Sequence, residues 1–480
     1  MRLNQTVLNG IAWGSFSLIA IYIAFNHEPW YDEYLVWYMD KRMDLRELFK
    51  AMTHEGHFML WHSLVYPFVK AGASFWCLQL VSCFLIISAG WLLMMKSPFD
   101  FLSRLLILFS YPFLYEFCAI SRCYSLIPII LFCIAWLYKQ KNRHMVLYCL
   151  SIGILSWTHV YMEGLVAALF LLLLYEDIFI PYKTDQRWPK DAVFGACIII
   201  IFVAAAFIQV SGSLRYSHQA LSNQTDSWAS LYEKVFLQTY RIPIKFITPI
   251  LPAGGWFRLI EVLTSIANVT IWGLILFCLF KLANNKNNFK FVIVGFLSLA
   301  WQLLMGLKVW YWGHQRLFLP FLVLLFLLWL FDTKDKARHF STIIIICFFV
   351  LTLKYGRIYT DTRYLYSPDT SLLSFVENHI EKKKPLVFDF MPDRPETYDL
   401  FFKDYPHMYY SVKDNSVELI SNTLLEQFAE HMNSSQYILF VGNDLPIQST
   451  TFSIKLLYEC PESMTASFYK YVYLITRIKP

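Results

Sequence analysis

"VLNGIAWGSFSLIAIYIAFNHEPWYDE" occupies residues 7–33. Residues 7–25 carry no charge and match the roughly 20 apolar residues that a membrane-crossing helix needs. The run ends "IAFNHEPW", without a small-residue cleavage pattern, so it reads as a retained span and not as a signal peptide. Three carboxylates then follow within six residues: Glu28, Asp32 and Glu33, beside Trp30 and Tyr31. Acids at the mouth of a first span are either solvated loop residues or a built site. The rest of the chain decides between these readings.

The composition matches the opening stretch. Of the 480 residues, 57% are hydrophobic, 18% aromatic and only 16% charged; soluble chains carry roughly 25% charged residues. A mean hydropathy of +0.44 agrees. The chain reads as a polytopic membrane protein. Its net charge of +6 fits basic cytoplasmic loops better than nucleic-acid binding. Nine of the ten cysteines lie in or beside apolar runs and read as small core residues, with Cys460 alone in the polar tail.

About eleven apolar segments are long enough to be spans: 7–25, 75–95, 100–117, 120–138, 145–161, 163–180, 191–210, 260–281, 289–307, 316–332 and 339–354. Four basic loops, "KQKNRH" (139–144), "YKTDQRWPK" (182–190), "KLANNKNNFK" (281–290) and "DTKDKAR" (332–338), alternate so as to share one side. The positive-inside rule makes that side cytoplasmic. Residues 26–74 then form a first external loop. In "MDLRELFKAM" (43–52), Leu45, Leu48, Phe49 and Met52 recur at helical spacing opposite Asp44, Arg46, Glu47 and Lys50, the pattern of a helix lying in the interface. "FMLWHSLVYPFVKAG" (58–72) reads as a second such helix. Residues 211–259 read as another external segment, with "ITPILPAGG" (247–255) as a partly inserted piece.

Beyond about residue 355 the apolar runs shorten to strand length: "PLVFDF" (385–390), "QYILFVG" (436–442) and "YKYVYLITRI" (469–478). Helical patterning lies between them at 419–432. The expected architecture is a helical membrane domain over 1–354 and a small extracytoplasmic α/β domain over 355–480.

Ionisable groups cost roughly 2.5–3.5 kcal/mol each at mid-span on insertion scales, so their placement carries information. Outside the basic loops they gather at five outer turns: Asp32 and Glu33; His54, Glu55 and His57; Glu116 and Arg122; His159 and Glu163; Lys308, His314 and Arg316. A shared outward-facing cavity explains the clustering. Each group also has a plainer reading. His54 and His57, with Glu55 between, are compatible with metal ligation but fit interfacial histidines better, because "HEGH" lacks the H-E-x-x-H spacing. Glu116 and Arg122 either pair to fix two helices or leave the arginine fork for a phosphate. His159 alone reads as a satisfied core histidine. "VWYWG" (309–313) reads as an interfacial aromatic belt.

The combination resembles the GT-C class of integral-membrane glycosyltransferases, and more narrowly the bacterial protein O-mannosyltransferase and aminoarabinose-transferase (glycosyltransferase 39-like) branch. Those enzymes carry an acidic pair after the first span, matched here by "WYDEY" (30–34). A His- and Glu-containing juxtamembrane segment follows, matched by "HEGHFMLWHSLVYPF" (54–68), where Phe58 replaces a common proline. "AISRCY" (119–124) matches an A-x-x-R-x-Y element, and Gly313–Arg316 matches G-x-x-R. The likeness covers roughly 1–354, and its motifs are short.

The resemblance implies a hexosyl- or pentosyltransferase of the cell envelope, in the bacterial inner membrane, with its active site and C-terminus extracytoplasmic. The donor is a polyprenyl-phosphate sugar. The acceptor is a glycolipid, a polysaccharide or a protein hydroxyl, and membrane lipids are the remaining partners. By resemblance Asp32 is the general base of an inverting displacement, and Glu33 positions the acceptor. Arg122, Arg316, His314 and Lys308 hold the donor phosphate. His54, Glu55, His57, Tyr31, Trp61, Glu116, Tyr124 and His159 line the substrate site. No cofactor is required with certainty; a divalent metal on Asp32, Glu33 and His54 is compatible with a class whose members differ on metal use. Trp30, Trp61, Trp310 and Trp312 either stack on sugar faces or anchor the interface. The alternative is a transporter or flippase of lipid-linked sugars without transferase activity. Transporters bind near the midplane through inverted repeats, whereas this chain keeps its acids at one surface.

Overall fold

The computed structural model describes residues 5–27, 29–53, 57–186, 188–220, 227–240, 256–308, 313–331, 335–362, 368–382, 386–388, 404–405, 407–409, 438–442, 452–459 and 471–477. The chain divides into two compact units. One comprises Met1–Phe25 and Met43–Ile358; the other comprises Asn26–Arg42 and Tyr359–Pro480. Residues 26–42 thus group with the C-terminal part of the chain.

The helices in chain order are α1 (Gln5–Asn26), α2 (Tyr31–Arg42), α3 (Leu45–Met52), α4 (Leu60–Lys70), α5 (Trp76–Lys96), α6 (Phe101–Leu108), α7 (Leu126–Tyr138), α8 (Lys141–Ser156) and α9 (Glu163–Leu173). They continue with α10 (Ile180–Asp185), α11 (Lys190–Ala220), α12 (Trp228–Tyr232), α13 (Trp256–Ala283), α14 (Phe289–Lys308), α15 (Leu319–Leu330), α16 (Asp335–Leu351), α17 (Tyr355–Asp361) and α18 (Pro368–His379).

Among the described residues, six helices are long and apolar enough to cross a membrane: Gln5–Asn26, Trp76–Lys96, Val160–Thr184, Lys190–Val210, Val262–Ala283 and Phe289–Lys308. Cys123–Tyr138, Gln315–Leu330 and Arg338–Leu351 are shorter apolar helices. The long helices leave large apolar side chains bare, including Leu18, Phe84, Val269 and Phe296, each at least 70% exposed. Such a surface requires an apolar surrounding, and the chain is a membrane-embedded protein.

Of the expected count of about eleven spans, the described residues give these six as long apolar helices. Residues 100–117 break after α6, and a wide turn over Pro112–Glu116 follows. The proline has no N–H to continue a helical ladder. Residues 145–161 are helical only to Ser156, where α8 stops. Within the segment 211–259, α11 runs on to Ala220 and α12 follows. "ITPILPAGG" lies outside the described residues.

The stretch 110–125 is irregular yet buried, with only Arg122 half-exposed. Irregular backbone at membrane depth survives only where protein satisfies its polar groups. Here Ser82 Oγ donates to the carbonyl of Cys118 at 2.8 Å, and Gln315 Nε2 donates to that of Glu116 at 2.7 Å. Around it pack Phe113 on Phe132, with ring centroids 5.9 Å apart, and Phe132 on Trp329, at 5.2 Å.

Close helix packing gives a direct stability test. A Cβ added at Gly164 of α9 would lie 2.2 Å from Trp301 Cβ of α14, and Trp301 Nε1 donates to the Val160 carbonyl at 2.8 Å. Gly164→Ala lowers stability by about 1–3 kcal/mol, read as a fall in Tm of the purified protein. Gly10→Ala, which meets nothing within 4 Å, serves as the control. An unchanged Tm for Gly164→Ala would show that α9 and α14 have room to part.

The C-terminal unit contains one described sheet of β1 (Leu386–Phe388), β2 (His407–Tyr409), β3 (Ile438–Gly442), β4 (Phe452–Glu459) and β5 (Tyr471–Arg477), in the order β2-β1-β3-β5-β4. β1 runs parallel to β2 and β3; β5 is antiparallel to β3 and β4. The three expected strands are present as β1, β3 and β5. The helical pattern at 419–432 lies outside the described residues. Within residues 26–74 three helices, α2, α3 and α4, stand where two were expected. α3 begins at a capping box, with Asp44 accepting from Glu47 N and Glu47 reaching back to Asp44 N. α2 is the additional helix.

Candidate functional site

In the membrane unit, four separated segments bring cations, imidazoles and a phenol together. The backbones of His57 and His159 form an isolated antiparallel bridge, and their rings meet edge-on at 4.9 Å. Phe58 seats this segment against Ala206 and Val210 of α11. Met59 N–H also donates to Gln209 Oε1 at 3.3 Å.

Arg122 reaches His57 Nε2 at 3.3 Å. A guanidinium only donates, so Nε2 is the acceptor and His57 carries its proton on Nδ1. Tyr161 N–H donates to His159 Nδ1 at 3.1 Å, which places the His159 proton on Nε2, 3.0 Å from Tyr124 Oη. Arg316 Nε donates to the same hydroxyl at 2.9 Å. Tyr124 therefore accepts twice, and its own O–H remains a donor. His159 is held well below the usual imidazole range, first by burial and then by unfavourable electrostatics with neighbouring His57, Arg316 and Arg122. It is a neutral donor. The group gathers two guanidiniums with neutral N–H and O–H donors, the chemistry of an anion site.

A second cationic pair follows the last apolar helix. Lys354 Nζ lies 5.8 Å from the Phe318 ring, and Arg357 lies 5.9 Å from that of Tyr115. Burial pushes the Lys354 ammonium down to about 8, against the opposing pull of Glu116, with Arg357 adding repulsion. Glu116 itself accepts from Tyr111 Oη at 2.7 Å.

In the C-terminal unit the acidic pair divides. Glu33 is wholly buried. Its Oε2 accepts from Trp30 N–H at 2.8 Å and meets His27 Nε2 at 2.9 Å. Because Trp30 directly precedes α2, Glu33 supplies half of a capping box. His27 Nδ1 in turn meets Asp361 Oδ2 at 2.6 Å. Asp32, next to Glu33 in the first turn, is half-buried.

Burial alone would lower the His27 pKa, but Glu33 first and then Asp361 outweigh it and raise it to about 10. The folded value thus exceeds the ordinary 6.5. The stabilisation from His27 is complete below the ordinary value, falls as pH rises between the two values, and is gone above the folded one. The Tm gap between the wild type and His27→Gln therefore narrows as pH rises from about 6 to about 10. A gap that stays constant across that range would overturn the charge assignment.

The remaining predicted residues are placed as follows. Lys308 is exposed at the end of α14, and His314 lies in a turn of 3-10 helix, His314–Phe318. Tyr31 opens α2. Trp61 and Trp30 are 2% and 4% exposed, so they hold packing positions and present no open face for stacking. His54, Glu55, Trp310 and Trp312 lie outside the described residues. Among the described residues no three His, Cys, Asp or Glu side chains are grouped to hold a metal. Glu33, already bonded to His27 and Trp30 N–H, does not fit the ligand role considered for it, and no chemical step is derived through a metal.

No family model matches the chain, and no curated protein is significantly similar to it. The sequence reading passed over His27, Asp361, Lys354 and Arg357. "KYGR" (354–357) follows an apolar run and looks like an ordinary anchoring loop. His27 stands beside the acids it bonds, but Asp361 is 334 residues away and carried no local signal.

Proposed function

We propose that this membrane protein is a glycosyltransferase that moves a sugar from a polyprenyl-phosphate donor to a hydroxyl acceptor outside the cytoplasm. The observation that carries the reading is the convergence of Arg122, Arg316, Tyr124, His57 and His159 from distant segments. In glycosyl transfer from a lipid phosphate, the leaving group regains full negative charge. Preorganised guanidinium and hydroxyl donors stabilise that charge most strongly where water is scarce. A neutral His159 supplies a donor without adding repulsion between the arginines.

An acceptor hydroxyl needs a base. Asp32 takes that role by its sequence position and by the resemblance of "WYDEY". Direct displacement inverts the anomeric centre. The positive-inside rule, applied to the basic loops, supports an orientation with the acidic and cationic turns away from the cytoplasm.

The test uses a radiolabelled polyprenyl-phosphate sugar with membranes containing the protein. A transferase releases free lipid phosphate in an acceptor-dependent manner. A transporter moves the donor and leaves the sugar–phosphate bond intact, and that outcome would overturn the proposal. Mass spectrometry of the glycans lost on deletion identifies the acceptor class.

A further inference from the structure

We infer that the C-terminal unit is the positioning scaffold of the acid-bearing helix α2, with His27 and Asp361 as positioning residues for Asp32. The inference rests on the reading of Asp32 as the base. A 12-residue helix is marginal by itself in water, so its direction has to come from what it packs on. α2 is tied to the C-terminal chain at its start, middle and end. At the start, Glu33 meets His27, which meets Asp361. In the middle, Tyr38 Oη donates to Glu377 of α18 at 2.7 Å. At the end, Arg42 pairs with Asp404 at 3.1 Å.

The first tie sets the rotation of the helix as well as its position. Successive residues point about 100° apart around a helix. Pinning Glu33 inward onto His27 therefore fixes the direction of Asp32. The His27 ring is itself held from both nitrogens, so neither it nor Glu33 can turn alone. Asp361 is 1% exposed, and the link is shielded from competing water. The tail acts on the reaction through this chain of contacts and contributes no group to the reacting atoms.

The test uses the full-length protein with Asp361→Asn, His27→Gln and the milder Tyr38→Phe. Hydrogen exchange is followed by mass spectrometry, alongside steady-state transfer. In Asp361→Asn and His27→Gln, amide protection over 31–42 falls about tenfold or more while protection over 76–96 is retained. kcat falls by about tenfold or more, as expected of a misplaced base, while KM for the donor stays within about twofold. The double variant is no worse than either single one, and Asp361→Glu recovers part of kcat. Unchanged protection over 31–42, or lost protection with full kcat, overturns the inference.

Protection lost throughout the chain in Asp361→Asn passes the decision to Tyr38→Phe. That variant must loosen 31–42 alone to support the scaffold, and the scaffold is overturned if it does not. Asp32→Asn is assayed in parallel. If it transfers sugar normally, the catalytic reading falls together with the positioning roles, and the exchange data then decide the scaffold alone.

Discussion

Asp32→Asn lowers sugar transfer by about 10²–10⁴-fold, the usual contribution of a positioned general base. The substitution keeps the size of the side chain and removes its ability to take a proton. Asp32 sits in the first turn of α2, where a negative charge is worth only about 0.3–1 kcal/mol to the helix, so folding is retained. Glu33→Gln separates the two acids. Glu33 is buried against His27 and Trp30 N–H, and breaking a buried charged link costs about 3–5 kcal/mol. Its first readout is a lowered Tm. The measurements are radiolabelled transfer and thermal unfolding on the same preparations. Full transfer by Asp32→Asn would remove the residue from the mechanism.

Arg316→Met weakens donor binding by about ten- to a hundredfold, the equivalent of losing a charged hydrogen bond of about 1.5–3 kcal/mol. Arg316 is 6% exposed and donates its Nε–H to Tyr124, so its planar fork is held in a fixed orientation within the cationic group. Lysine has one ammonium and cannot serve both partners from one plane, so Arg316→Lys fails to restore binding. Tyr124→Phe has a smaller effect on the donor but strands the Arg316 Nε–H and the His159 Nε2–H. Binding of the polyprenyl-phosphate donor to the purified protein checks all three. Equal affinity for Arg316→Lys and wild type would show that charge alone suffices there.

The long, uninterrupted apolar runs at 75–95, 191–210 and 289–307 were legible as spans, and α5, α11 and α14 occupy them. The stretch 100–125 was not legible. Apolar composition reports burial, and a buried irregular segment has the same composition as a buried helix. What separates them is Pro112, together with polar partners such as Ser82 and Gln315 that satisfy the freed carbonyls. Trp61 was misread for a related reason: an aromatic side chain in an interfacial pattern is equally able to turn inward.

At the candidate site the sequence singled out Arg122, Tyr124, His57, His159 and Arg316 as polar groups at outer turns. It could not show that Tyr124 accepts from both Arg316 and His159, because hydrogen bonds across 35 and 192 residues leave no local pattern.

The sequence by itself determined that this is a membrane protein, through the length and apolarity of its runs, and where along the chain its ionisable groups collect. Hydrophobicity and charge spacing are local properties, readable one window at a time. The tertiary structure alone decided that Glu33 is the wholly buried acid and Asp32 the half-buried member of the pair. It also decided that residues 26–42 belong with the C-terminal unit. His27 bonds both Glu33 and Asp361, a pairing across 334 residues, and the part a carboxylate plays is set by the partner that folding brings to it.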